Sequence, residues 1–162
     1  MKGMTKAALI GAGLLVAYSA QAALLATHTR NDNYTYTEGT VPFVPLNDSG
    51  ATTVTFKTTA NKQKVIVSYT AECGIVDDKH DTWVNIDILV DGVAIRPTNS
   101  TSSDAFCSST ANAGYNWNMS AVNAVYVVPA AGVHTVSIKA AVSGGNGGAT
   151  GWLGDTSLVV WR

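Results

Sequence analysis

The sequence predicts an all-β fold: a two-sheet β-sandwich of the jelly-roll type with about eight strands. Three observations lead there. Apolar and polar residues alternate with a period of two in stretch after stretch, the spacing that turns one face of a strand onto a core. Clusters of Gly, Asn, Asp and Pro separate those stretches as turns. Beyond the first 22 residues no segment sustains a helical period.

The chain opens on an export signal. Lys2 and Lys6 give a charged start, Ala7 to Tyr18 an apolar run, and Ala20-Gln21-Ala22 a small-x-small cleavage site. Residues 1–22 are expected to be removed as a signal peptide, leaving a single domain over 23–162. The apolar run is shorter than the roughly 20 residues a bilayer span needs, so no membrane span is expected after cleavage. The product is expected to be secreted or periplasmic. Of 10 basic and 11 acidic side chains, two lysines leave with the signal. The mature chain is then mildly acidic and has no basic cluster to neutralise phosphates, so nucleic acid is not an expected partner.

Residues 23–50 read as an irregular lead-in with one or two short edge strands. Tyr34 to Thr37 suits a strand, whereas Pro42 and Pro45 cannot donate to a ladder and keep their segment at an edge. Asn47-Asp48-Ser49-Gly50 is a turn by composition. In Ala51 to Thr58, Val54 and Phe56 share one face. In the next strand Val65, Val67, Tyr69, Ala71 and Cys73 do so. Trp83 to Val90 alternates most clearly, with Val84, Ile86, Ile88 and Val90 inward. Asp91-Gly92 then predicts a type I′ hairpin returning through Ala94 to Arg96. Pro97 to Asn112 reads as a long loop tied down by Cys107. Val122 to Val128 and Val133 to Val142 read as a second hairpin around Pro129 to Gly132, and Ser157 to Trp161 as a closing strand.

Two cysteines in an exported chain predict a Cys73–Cys107 disulfide, since thiolate zinc sites need more ligands. The bridge closes a loop of about 33 residues, worth roughly 3–4 kcal/mol by chain entropy.

Val65-Ile-Val-Ser-Tyr69, the run Val128-Pro-Ala-Ala-Gly-Val-His-Thr-Val-Ser-Ile138 and Ser157-Leu-Val-Val160 carry a resemblance. Over Thr52 to Arg162 the layout resembles the jelly-roll domains of the tumour necrosis factor-like superfamily, including the complement globular heads. The resemblance implies a two-sheet jelly roll that acts by binding, often as a trimer. It implies no functional residue here, because neither a collagen-like stalk nor the axial aromatic set is matched.

Two stretches carry candidate sites. Asp77, Asp78 and Asp81 supply oxygens of the kind Ca²⁺ takes, although Lys79 opposes the charge and a solvated loop explains the same residues. Tyr115, Trp117 and Trp152 lie in or beside polar loops, where an aromatic ring stacks on a sugar face and Asn116 supplies hydrogen bonds; capping the core is the plainer role. His134 shares a face with Val136 and reads as a core-edge histidine, and Trp83 and Trp161 as packing residues. Asp87 and Asp91 share a face, but four residues span about 13 Å, too far for a carboxylate pair. With no nucleophile elbow either, a non-enzymatic recognition or assembly module that self-associates is expected. A glycan-binding module is the alternative, with a glycan or cell-surface partner; a small secreted hydrolase comes third.

Overall fold

The computed structural model describes residues 22–76, 82–95, 105–109, 117–144 and 148–162. Ten strands occupy them: β1 Leu24–Arg30, β2 Tyr34–Thr37, β3 Thr53–Thr58, β4 Gln63–Val76, β5 Trp83–Val90, β6 Val93–Ala94, β7 Ala105–Ser108, β8 Asn118–Val128, β9 Gly132–Ser143 and β10 Thr150–Trp161. They build two five-stranded antiparallel sheets. Sheet A runs β1-β10-β4-β8, with β2 also on β10. Sheet B runs β3-β9-β5-β6, with β7 also on β5. From β3 onward the long strands alternate between sheets, so the chain repeatedly crosses the core. That is the jelly-roll winding the sequence predicts.

The inward faces follow the alternation. Val65, Val67, Tyr69, Ala71 and Cys73 of β4 are fully buried, and Val54, Phe56, Val84, Ile86, Ile88 and Val90 face them from sheet B. At roughly 1.5–3 kcal/mol per fully buried large apolar side chain, this layer is the main favourable term. Val44 and Leu46 of the lead-in join it. The edge segment runs beside β9: Val44 N–H donates to the Ile138 carbonyl (2.9 Å), and Pro42 and Pro45 flank it without needing a donor of their own.

Asp91 and Gly92 have φ of 50° and 80°, as a type I′ turn requires. Ile95 N–H then donates to Ile88 (2.9 Å). At Gly151 the reason for glycine is close approach, because an added Cβ would lie 2.5 Å from the buried Tyr36 ring.

Four features differ from the expected layout. There are ten strands where about eight are expected, because β1 forms a regular edge strand along β10 beside the expected Tyr34–Thr37 strand and β7 is an addition. Cys107 sits in β7, which pairs with Trp83–Asn85, so a strand interrupts the expected loop. β8 and β9 are not a hairpin: β8 pairs with β4 in sheet A, whereas β9 pairs with β3 and β5 in sheet B. Alternation states which face is buried, and both strands obey it from opposite sides of one core. Trp161 is not a packing residue, being 39% exposed on the outside of sheet A. Residues 1–21, which hold nearly all of the expected signal, and most of the Pro97–Asn112 segment lie outside the described residues.

Cys73 and Cys107 are bonded, with Cα atoms 6.1 Å apart across a sequence separation of 34. The bond ties the end of β4 in sheet A to β7 in sheet B. Cys107→Ser is expected to lower the unfolding free energy by roughly 3–4 kcal/mol in urea titrations, and reduction of the wild type by a similar amount.

Candidate functional site

The outward faces of the two sheets differ chemically. Sheet B presents Lys57, Asp87 and Lys139 along β3, β5 and β9, and the Lys139 ammonium lies 4.8 Å from the Phe43 ring centre. Sheet A carries Lys64 and Glu72 toward opposite ends of β4 and presents more exposed apolar surface.

Register fixes which residues share sheet A's outer face. Leu24 stands beside Trp161, Trp161 beside Ile66, and Ile66 beside Val125, so one apolar row crosses β1, β10, β4 and β8. Leu24 is 64% and Val125 58% exposed. Val127 beside Lys64 extends the row on one side, and Val159 beside Ser68 on the other. Hydroxyls and small groups follow: Thr27 and Asn123, then Thr29, Ser157, Thr70 and Ala121.

The far end of the face is aromatic. Trp152 stands beside Gly74 on β4, and the absence of a side chain there lets Trp117 reach across to it. The two rings meet edge-on with centres 5.6 Å apart, a favourable aromatic geometry. Met119 and Gly154 flank Glu72 in the neighbouring row. An added Cβ at Gly154 would meet the Asn33 amide oxygen at 2.6 Å and a Glu72 carboxylate oxygen at 3.5 Å, so those two polar groups close over that glycine.

The structure therefore brings two of the expected ligand residues, Trp117 and Trp152, into contact. Trp117 is 42% exposed, whereas Trp152 is half-buried and its indole N–H has no partner among the described residues. Tyr115, Asn116, Asp77, Asp78 and Asp81 lie outside the described residues. Sequence reasoning missed Leu24, Ile66, Val125 and Trp161 as a group. Only Ile66 gave a signal, as an apolar exception on the polar face of its strand.

Two buried polar clusters are structural. His134 is 7% exposed; its Nδ1–H donates to Asp91 Oδ2 at 2.7 Å, and Nε2 lies 3.0 Å from the Ala130 carbonyl and 3.2 Å from Thr58 Oγ1. Asp91 Oδ1 accepts the Thr135 N–H at 2.9 Å, so this one carboxylate ties the hairpin turn to β9. Arg30 is buried near β10 and donates to the carbonyls of Asp32 and Leu153. Desolvation lowers its pKa despite Tyr69 and the carboxylates of Asp32 and Asp48 nearby. Burial pushes the hydroxyls of Tyr36 and Tyr69 far up, so both stay protonated. Asp91, His134 and Thr58 line up as carboxylate, imidazole and hydroxyl, but Thr58 is 1% exposed and its hydroxyl donates to the Ala130 carbonyl at 3.3 Å, so it is closed to a substrate. His28 Nδ1 lies 3.3 Å from the Asn47 amide nitrogen.

No protein family and no curated protein matches the sequence. Among solved structures, the fold is similar to that of the infectious bursal disease virus VP2 subviral particle. The TM-score is 0.50 and the identity 18%, over 94% of this chain and 37% of that one. T=1 particles derived from infectious bursal virus give a TM-score of 0.45 and 15% identity over 94% of this chain and 36% of theirs. The chain thus spans little more than a third of those viral chains. The shared feature is the jelly roll itself. The tumour necrosis factor-like resemblance holds only at that level.

Partial burial of Asp91 raises its pKa, but hydrogen bonds from His134 and Thr135, with the charge of His134, outweigh this and hold it below the ordinary value. Its contribution to stability is therefore complete above the usual carboxylate range and lost as pH falls through the lowered value. Asp91→Asn is expected to melt lower than wild type at pH 6, with the gap closing toward pH 3, as followed by circular dichroism.

Proposed function

We propose that this chain is an exported, non-catalytic structural module that assembles with copies of itself. The observation that carries the reading is the outer face of sheet A. Of the ten exposed large apolar side chains among the described residues, Leu24, Trp117, Met119, Val125, Val127 and Trp161 share that one face. Singly exposed apolar residues are ordinary on a monomer, but two groups at opposite ends of one face, Leu24, Val125, Val127 and Trp161 at one and Trp117 and Met119 at the other, mark an interaction surface. The sandwich beneath is suited to this use, because a disulfide and a fully buried layer hold the strands of the face in place. VP2, a viral chain with this fold, is known from a subviral particle, which accords with a jelly roll used as a building unit.

Export is supported by the signal-like residues 1–22 and by the disulfide, which persists in oxidising compartments. The non-catalytic reading rests on the buried polar clusters, whose members are engaged in holding strands together.

Light scattering on the oxidised protein is expected to give a mass of two or more chains at micromolar concentration. A monomer throughout the accessible range would overturn self-assembly, and turnover on a panel of glycosides, esters and peptides would overturn the non-catalytic reading.

The contact of Trp117 with Trp152, next to Glu72 and Asn33, favours glycan binding as a second reading. On a glycan array, Trp117→Ala is then expected to lose retention with an unchanged melting temperature. Trp152→Ala is expected to melt lower, since half of that ring is packed. Retention unaffected by Trp117→Ala would remove this reading.

A further inference from the structure

The outer face of sheet A is polarised along its strands. Lys64 stands at the end that carries the apolar row, and Glu72 stands eight residues along β4 at the aromatic end. Asp155, exposed in the bulge of β10, follows Gly154, the residue opposite Glu72. Between them the face offers Ser68, Thr70, Ser157, Thr27, Thr29 and Asn123, side chains that hydrogen-bond without a net charge.

We propose that a second copy of this chain covers this face through a two-fold contact, with the outer faces of sheet A packed together and the paired β4 strands running antiparallel. The inference rests on the self-assembly reading and specifies its surface and orientation. A two-fold axis across the strands, level with Ser68, lays each strand over its own counterpart. Lys64 then comes over Glu72 of the other copy, and each copy's Glu72 receives the reciprocal Lys64. Met119 comes over Val127, Val125 over Ala121 and Trp161 over Ser157, so the apolar row of one copy meets the row of small and hydroxyl side chains of the other twice, and Trp117 and Trp152 reach past Lys64. The Ser68 rows meet in the middle. The alternative two-fold axis, along the strands, lays Lys64 on Lys64 and Glu72 on Glu72 and is disfavoured by like charge.

The size fits. Four strands spaced by about 4.8 Å, with ten to eleven residues of about 3.3 Å each, present on the order of 600 Å² per copy. That reaches the lower limit of a specific interface, about 1,200 Å² in total. Sheets packed face to face stand about 10 Å apart, within reach of side chains as long as Trp, Lys and Glu. Symmetry makes the contact isologous, so one patch complementary to itself suffices. It leaves sheet B and the loops at either end free, so the pair is compatible with a larger assembly.

The test is analytical ultracentrifugation of the oxidised wild type and four variants, with melting curves as the folding control. Lys64→Glu and Glu72→Lys are each expected to raise the dissociation constant by about tenfold or more, because each places like charges together in both halves of the contact. The double exchange is expected to return it to near the wild-type value. Val125→Glu, which puts a charge into the apolar row, is expected to give monomer with an unchanged melting temperature. If the wild type assembles but neither the charge exchanges nor Val125→Glu weakens it, this face is the wrong one while self-assembly stands. If the wild type is monomeric, self-assembly and this face both fail. If Val125→Glu dissociates the protein but the charge exchanges do not reciprocate, the antiparallel orientation is overturned.

Discussion

Burial of one face of β4 against the opposite sheet is the constraint on which the rest of the structure depends. β4 is bonded along its length to β10 and β8, and its inward residues from Val65 to Cys73 are all excluded from water. Because side chains alternate across a strand, burying that set forces Lys64, Ile66, Ser68, Thr70 and Glu72 outward together. Core and candidate interface are thus the two faces of one strand. A register slip of one residue in β4 would exchange them, placing a lysine and a glutamate in the core.

The disulfide reinforces that register from its end. Cys73 is the last residue of the buried set and its partner lies in sheet B, so the bond fixes the distance between the sheets where β4 leaves the core. At the opposite end of β5, Asp91 performs a related task by hydrogen bonding. Its carboxylate reaches His134 and the Thr135 backbone, joining the turn after β5 to β9. A covalent tie and a hydrogen-bonded one therefore hold different ends of the same sandwich, and they answer to different conditions, redox potential and acidity.

The distribution of charge separates the two outer surfaces. Sheet B carries Lys57, Asp87 and Lys139, and such residues keep a sheet face solvated. Sheet A keeps its charges at its ends and fills its middle with hydroxyls and apolar groups. Such a surface loses little by being covered, because hydroxyls re-form hydrogen bonds across an interface at lower desolvation cost than charges do. Trp117 and Trp152 sit within that pattern, which is why one pair of rings serves both an assembly reading and a glycan reading.

By itself the sequence determined the elements and their faces. Period-two alternation marked the inward residues of β3, β4, β5, β9 and the end of β10, Asp91-Gly92 marked a turn with two positive φ angles, and two cysteines had one internal way to pair. These are local properties, set by the geometry of a strand and by the conformational range of single residues. Tertiary structure alone decided which strands lie side by side. The crossing of the chain from β8 in one sheet to β9 in the other, the strand hidden in a serine-rich stretch around Cys107, and the row from Leu24 through Trp161 and Ile66 to Val125 all depend on pairings between residues far apart in the chain. Leu24 and Trp161 are separated by almost the whole chain, and no periodicity within either segment reports the other. A patch drawn from four strands exists only once the register between them is set, and hydrogen bonding across the sheet together with burial on its far side sets that register.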